Sequence, residues 1–200
     1  MKESTRIKDE KVIEKIIDAV EYGTMALCDI NGRPYALPIN YVRIGKDLYF
    51  HGSKKGRKIE ALESNKQVSF SIVETLSFVP SYFSTKEDLA CPATQFYRSV
   101  SIDGHIEFVD DYNEKVLALS KLMEKLQPEG KYQSMSKAVY QKAIDATRIF
   151  KLIPNEITGK FKLGQQHPKE RLELIIKNLE ARGAQTDMET VALMRQLIRV

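Results

Sequence analysis

TMALCDINGRPYALPINYVRIGKDLYFHGSKKGRKIEALESNKQVSFSIVE, residues 24–74, is the stretch whose reading decides the fold. TMALCDI (24–30) and PYALPINYVR (34–43) flank Asn31-Gly32, a dipeptide that signals a hairpin because both residues tolerate positive φ. Gly45-Lys46-Asp47 makes a second turn into LYFHG (48–52). A basic loop, SKKGRK (53–58), precedes IEALESN (59–65), which reads as a short helix. QVSFSIVE (67–74) then alternates with the period of a strand. Strands joined by tight turns rather than by helices indicate an antiparallel β-barrel with helices around it.

Outward from this block, residues 9–21 carry Val12, Ile13, Ile16, Ile17 and Val20, the stripe of an amphipathic helix that Gly23 is expected to end. Residues 75–93 hold prolines and serines with no clean period and read as a long loop or lid, in which Phe78, Tyr82 and Phe83 line a pocket or pack the loop down. TQFYRSVSIDGHIEFV (94–109) is a strand pair or one long strand, with a bulge expected at Gly104. Asp111-x-x-Glu114 resembles a capping box for a helix reaching about Leu126. A helix near 134–144 and strands at 147–153 and 156–163 follow. Pro168 can open a helix that Gly183 stops, and Thr186-x-x-Glu189 is expected to cap a last helix over 187–199. The domain reading is therefore 1–165 for the β-rich domain and 166–200 for a helical extension.

Composition narrows the function. The chain has 200 residues, a net charge of +4 and 42% hydrophobic residues, an ordinary globular profile. So small an excess of cations argues against a nucleic-acid coat but allows a local anion site. No apolar run approaches the ~18 residues of a membrane helix. The N-terminus, MKESTRIKDEKVIEKI, is too charged to read as a signal peptide. Cys28 and Cys91 form no CxxC pair, so a cytoplasmic location is expected; Cys28 reads as core and Cys91 as an inert loop residue. His51, His105 and His167 match no zinc spacing, and no metal is expected.

The segment LYFHGSKKGRKIEAL (48–62) carries the chemistry. Four cations, a hydroxyl and two glycines lie just ahead of a helix, whose first N–H groups and positive dipole end favour an anion. Arg grips phosphate with two parallel hydrogen bonds and Lys adds point charge. A phosphate clamp and a solvated basic turn fit the composition equally well. Neither GxxxxGK[ST] nor GxGxxG is present.

The run from GRPYALPINYVRIGKDLYFHGSKKGRK to QVSFSIVE, with YRSVSIDGHIEFVDDYNEKVLALSKLM (97–123) and ITGKFKLGQ (157–165), resembles the pyridoxamine 5′-phosphate oxidase-like, flavin-binding split-barrel family, and within it the proteins related to 5-nitroimidazole resistance. The resemblance spans about residues 5–180. It implies a mainly β fold with α, a six-stranded antiparallel split β-barrel with peripheral helices, as a homodimer holding FMN at the subunit interface. FAD stays open, because the same phosphate site serves both. It further implies that Leu37, Pro38, Ile39, Asn40 and Tyr41 border the flavin ring, largely through backbone groups. His51, Gly52, Ser53, Gly56, Arg57 and Lys58 would hold the phosphate, and Ser99 stands where the oxidase carries a flavin-contacting Gln. Lys162 and Gln165 are candidates for reaching a substrate or the second subunit.

The oxidase's C-terminal R-L-x-P signature is missing, since this chain ends LMRQLIRV. Vitamin B6 oxidation is therefore not the expectation. The resemblance implies instead an oxidoreductase that moves electrons from a reduced donor to a small acceptor such as a nitroimidazole. The ending GKFKLGQQHPKERLELIIKNLEARG also resembles a PaiB-like regulator family, which keeps open a flavin- or haem-sensing regulator without turnover. In the haem case His51, His105 or His167 would be the axial ligand.

Overall fold

The computed structural model describes residues 5–85 and 89–198. Residues 86–88 of the expected loop and 199 of the expected last helix lie outside them. The elements run β1 (Arg6–Ile7), α1 (Glu10–Ala19), β2 (Tyr22–Cys28), β3 (Pro34–Asn40), β4 (Val42–Ile44), β5 (Asp47–Gly52), α2 (Arg57–Ser64), β6 (Gln67–Val79), β7 (Thr94–Val109), α3 (Tyr112–Leu126), α4 (Gln141–Ala146), β8 (Arg148–Lys162), α5 (Lys169–Arg182) and α6 (Gln185–Ile198). The hydrogen-bonded strand order is β3-β2-β6-β7-β8-β5-β4, and β1 adds to β8. Six of these strands have six or more residues; β1 and β4 have two and three.

Contacts group the chain into two compact units. One comprises Met1–Ile13, Val73–Ser99 and Gly159–Val200, so α5 and α6 pack with strand ends inside it; the other comprises Glu14–Ile72 and Val100–Thr158.

In the second unit, the hairpin expected at Asn31-Gly32 forms with a five-residue loop. Cys28 faces Pro34 as the last pair of β2 and β3. Asp29 Oδ1 accepts from the backbone N–H groups of Asn31 and Arg33, both at 3.0 Å, and Gly32 takes φ 74°. β3 stands at the end of the strand order, which is where a sheet tolerates residues such as Pro34 and Pro38 that cannot donate. β5 lies between β4 and β8, with Phe50 opposite Phe150 and Gly52 opposite Arg148. The helix α3 covers Val42, Tyr49, Val109 and Ile149 with Ala118 and Leu122. Asp111 caps it by accepting from Glu114 N–H at 2.7 Å. The reciprocal half of the box does not form, because the Glu114 carboxylate accepts instead from Tyr49 Oη at 2.7 Å.

Several expectations change. α1 ends at Ala19, and Gly23 lies inside β2, where a Cβ would stand 2.2 Å from the Phe70 ring. Close packing, not a helix stop, explains that glycine. Cys28 is exposed, because β2 alternates and Cys28 falls on its outward phase. Residues 94–109 form one continuous strand, as do 148–162, Pro154 included. In β7 the tight spot at Gly104 is an approach to the backbone of β8: a Cβ there would lie 2.2 Å from the Ile153 carbonyl oxygen. The helix expected near 134–144 is a 3₁₀ turn at Ala138–Tyr140 followed by α4.

In the first unit, residues 75–79 of the expected loop continue β6, which buries Leu76, Ser77 and Val79. Ser81–Phe83 form a 3₁₀ turn that buries Phe83 and leaves Tyr82 exposed. Leu76, Val79, Phe83 and Phe96 pack against Leu172, Ile175 and Leu179 of α5 and Val191 and Met194 of α6. Gly183 ends α5 in the left-handed conformation, φ 68°. Thr186 does not cap α6, which starts one residue earlier; Asp187 Oδ2 accepts from Ala184 N–H at 3.1 Å. Asp187 is fully buried. Its carboxylate takes Arg182 Nη2 at 2.5 Å, Arg182 Nε at 2.8 Å and Ser77 Oγ at 2.6 Å. The Arg182 guanidinium, with those hydrogen bonds, holds its pKa down at about 2.

Two outcomes are expected. Gly104→Ala lowers stability by about 1–3 kcal/mol, read as a lower urea midpoint, because backbone on β8 must shift. Asp187 has a folded pKa below its ordinary value, so its contribution is complete above pH ~4 and fades as pH falls towards ~2. Between those two pH values the wild type should lose about 2 kcal/mol more than Asp187→Asn in parallel urea titrations; equal losses would remove this role.

Candidate functional site

The basic loop leaves the sheet at the end of β5. Phe50 and Phe150 are cross-strand partners whose rings stack 4.8 Å apart at 8°, both essentially fully buried. Because strand side chains alternate, His51 points to the other face and Gly52 returns to the face of Phe50. Ser53 Oγ accepts from Lys55 N–H at 3.1 Å and so tightens the loop. Gly56 enters α2 at φ 106°, a conformation that side chains rarely adopt, with no side-chain cap. The first N–H groups of α2 have no carbonyl within the helix to bond.

The cations of the loop have different environments. Lys54 donates to the Asp145 carbonyl, and Lys55 is exposed. Arg57 pairs with Asp29 Oδ2 at 3.0 Å and lies 4.2 Å over the Tyr35 ring, which ties the start of α2 to the β2–β3 hairpin. The Arg33 N–H, and after it the Asn31 N–H and Arg57, keep the Asp29 carboxyl below its ordinary pKa. Lys58 folds back over the sheet. Its ammonium lies 4.4 Å from the Phe150 ring centre and fills the space in front of Gly52, where a Cβ would be 2.4 Å from Nζ. Lys58 is half-buried, and burial alone lowers its pKa; no carboxylate among the described residues offsets its charge.

Arg148, which sequence reasoning missed, stands opposite Gly52. It shares a face of β8 with Phe150, two residues on. Its Nη1 reaches Asp110 at 3.2 Å, and its guanidinium lies 5.1 Å from the Phe108 ring centre. Its Nε is buried and has no hydrogen-bond partner among the described residues. Nothing near position 148 in the sequence announces this; it follows from the β5–β8 register. His51 presents an edge to solvent, yet burial first and the Lys58 charge second hold its pKa below the ordinary value.

Of the other sequence candidates, Leu37, Pro38, Ile39 and Asn40 lie on β3 opposite Met25, Thr24, Gly23 and Tyr22. Asn40 is exposed and donates to the Glu21 carbonyl at 3.1 Å, which accounts for a polar residue there. The Tyr41 side chain is core: it is fully buried, donates to the Ile17 carbonyl at 2.8 Å and sits under the Lys125 ammonium at 4.0 Å. Only its backbone can face a ligand. Ser99, Lys162 and Gln165 belong to the first unit. Ser99 is half-buried on β7, and Lys162 lies 5.7 Å from the Tyr97 ring centre. Gln165 accepts from Leu163 N–H at 2.8 Å and donates to the Phe161 carbonyl at 3.2 Å, so its amide holds the turn after β8.

This arrangement of strand, basic loop and short helix can be compared with known proteins. A family model described as pyridoxamine 5′-phosphate oxidase matches residues 9–161. The chain belongs to this family. Its fold is accordingly mainly β with α, an antiparallel split barrel with peripheral helices. Among solved structures it is similar to a candidate 5-nitroimidazole antibiotic resistance protein from Bacteroides thetaiotaomicron, at 26% identity and TM-score 0.64 over 78% of this chain and 85% of that one. The flavocytochrome Anf3 from Azotobacter vinelandii is similar at 25% identity and TM-score 0.69, over 86% and 78%. An FAD and heme binding protein from Mycobacterium smegmatis, at 19% identity and TM-score 0.67 over 90% and 80%, shares the fold. The search of curated proteins returned no match. No helix among the described residues is long and apolar enough to cross a membrane.

The coupling between His51 and Lys58 can be measured. An NMR titration of wild type should give His51 a midpoint below 6.5, and Lys58→Met, which removes the neighbouring charge, should move it upward. An unchanged midpoint would place the Lys58 ammonium elsewhere.

Proposed function

We propose that this protein is a cytoplasmic, homodimeric flavoprotein, with FMN as the first choice and FAD as the alternative, that passes electrons from a reduced donor to a small acceptor such as a nitroimidazole. The observation that carries the reading is the half-buried Lys58 ammonium, unpaired among the described residues, at the entrance of α2. A lone cation at a helix start is electrostatically misplaced unless an anion joins it. The buried, unpartnered Nε of Arg148 opposite Gly52 supports the same conclusion.

The residues suit a flavin phosphate. Lys58 supplies charge, Arg57 supplies a fork of donors held over Tyr35, and Ser53, Gly56 and the first turn of α2 supply backbone and hydroxyl groups. Gly52 lacks the Cβ that would collide with Lys58. The edge strand β3 leaves backbone groups of 37–40 without a second strand partner among the described residues, which suits a segment bordering a ring. Bound flavin would supply hydride or single-electron transfer, while the protein anchors and orients it. His51, whose pKa burial and the Lys58 charge lower, can donate or accept a hydrogen bond beside the site. The similarity to a candidate nitroimidazole resistance protein and to a flavocytochrome supports this class of chemistry.

Purified or flavin-reconstituted protein should absorb at about 370 and 450 nm, the bands expected of oxidised flavin. Arg57→Ala with Lys58→Ala should weaken flavin binding at least about tenfold, as loss of two charge-assisted contacts requires. Full retention by the folded double variant would refute the clamp. Oxidation of NADH or NADPH with a nitroimidazole present tests turnover; tight flavin with no turnover would favour the non-catalytic regulator.

A further inference from the structure

The first unit contains a second concentration of unpaired positive charge. A cavity of about 190 Å³ opens between the start of β7, the end of β8 and the first turn of α5. That is well above the ~10–15 Å³ needed for one water. Lys162, His167 and Arg171 line it, with Thr94, Phe96 and Gly164, and no described carboxylate does.

Its construction is specific. Gly164 takes φ 77° and its carbonyl accepts from His167 N–H at 2.8 Å, so the turn carries the imidazole to the cavity wall. Pro168 opens α5 with no side-chain cap, leaving the first-turn N–H groups without one. Arg171 is fixed at one end by Ser84 Oγ, 3.2 Å from its Nη2. Its Nε is buried and has no partner among the described residues. Burial, and after it the Arg171 charge, lower the His167 pKa, as happens when a cation faces an imidazole with no anion between them. A buried guanidinium nitrogen without an acceptor is costly in an apoprotein and is relieved by an oxyanion.

We propose that this cavity is an oxyanion site, which takes the phosphate or carboxylate end of a small molecule between Lys162, His167 and Arg171. It rests on these residues alone and does not depend on the flavin reading.

The test follows the His167 imidazole resonances by NMR in the full-length protein, assigned by their loss in His167→Gln. Inorganic phosphate and, in a second series, acetate replace chloride at constant ionic strength. Saturable shifts are expected with at least one anion, and which one saturates tells a phosphate ligand from a carboxylate. Lys162→Gln and Arg171→Gln should each raise the half-saturation concentration about tenfold, whereas Arg57→Ala with Lys58→Ala should leave it unchanged. If Arg171→Gln does not fold, Lys162→Gln gives the answer by itself, since its side chain holds no hydrogen bond in the turn. The proposal is overturned if neither anion saturates, if Lys162→Gln has no effect, or if the shift vanishes only in the basic-loop double variant.

Discussion

The stacked pair Phe50–Phe150 sets the geometry of the basic loop. Burying each ring contributes roughly 1.5–3 kcal/mol, and the two lie directly opposite each other on β5 and β8. That pairing determines the register, and a slip of one residue would turn His51 into the core and Phe50 to solvent. With the register held, Gly52 ends the strand opposite Arg148, and the chain enters the loop with Lys58 able to lie back over the same aromatic surface. An ammonium over a ring gains from the ring quadrupole, but not as much as from an anion.

Charge compensation separates polar groups that have partners among the described residues from those left without one. Asp187 is fully buried and completely answered by Arg182, Ser77 and a backbone N–H; it holds α5, α6 and β6 together and has no capacity left for a ligand. Arg57 is answered by Asp29, though its exposed fork retains donors. Lys58, Arg148 and Arg171 differ, because each keeps a charge or a donor with no acceptor among the described residues. Unmet donors are expensive to bury, and they concentrate beside the basic loop in one unit and beside the cavity in the other, the two places proposed above to receive a ligand.

Local rules carried much of the fold. Alternation placed β2 and the first part of β6, Asp111 marked the start of α3, and Gly183 marked the end of α5. Where expectation and structure part, a distant partner outweighed a local signal. Gly23 reads as a helix stop, but the Phe70 ring needs its missing Cβ. Residues 75–79 read as a loop because prolines and serines follow; Leu76 and Val79 are strand because α5 and α6 cover them. Thr186 has the spacing of a cap, yet the buried Asp187 serves that end of α6, since it also meets Arg182 and Ser77. Cys28 is apolar enough for a core, but strand phase faces it outward.

The candidate site divides in the same way. The run of residues 51–58, with its cations, its glycines and the helix behind them, is a property of the chain itself, because turns, caps and helix ends are decided by neighbours a few residues apart. Which of those cations is neutralised and which stays available was decided only in three dimensions. Asp29 comes to Arg57 from the β2–β3 hairpin, and Phe150 and Arg148 come to Lys58 and Gly52 from β8. Electrostatic pairing depends on distance through space and on burial, and neither is written in the spacing of residues along the chain.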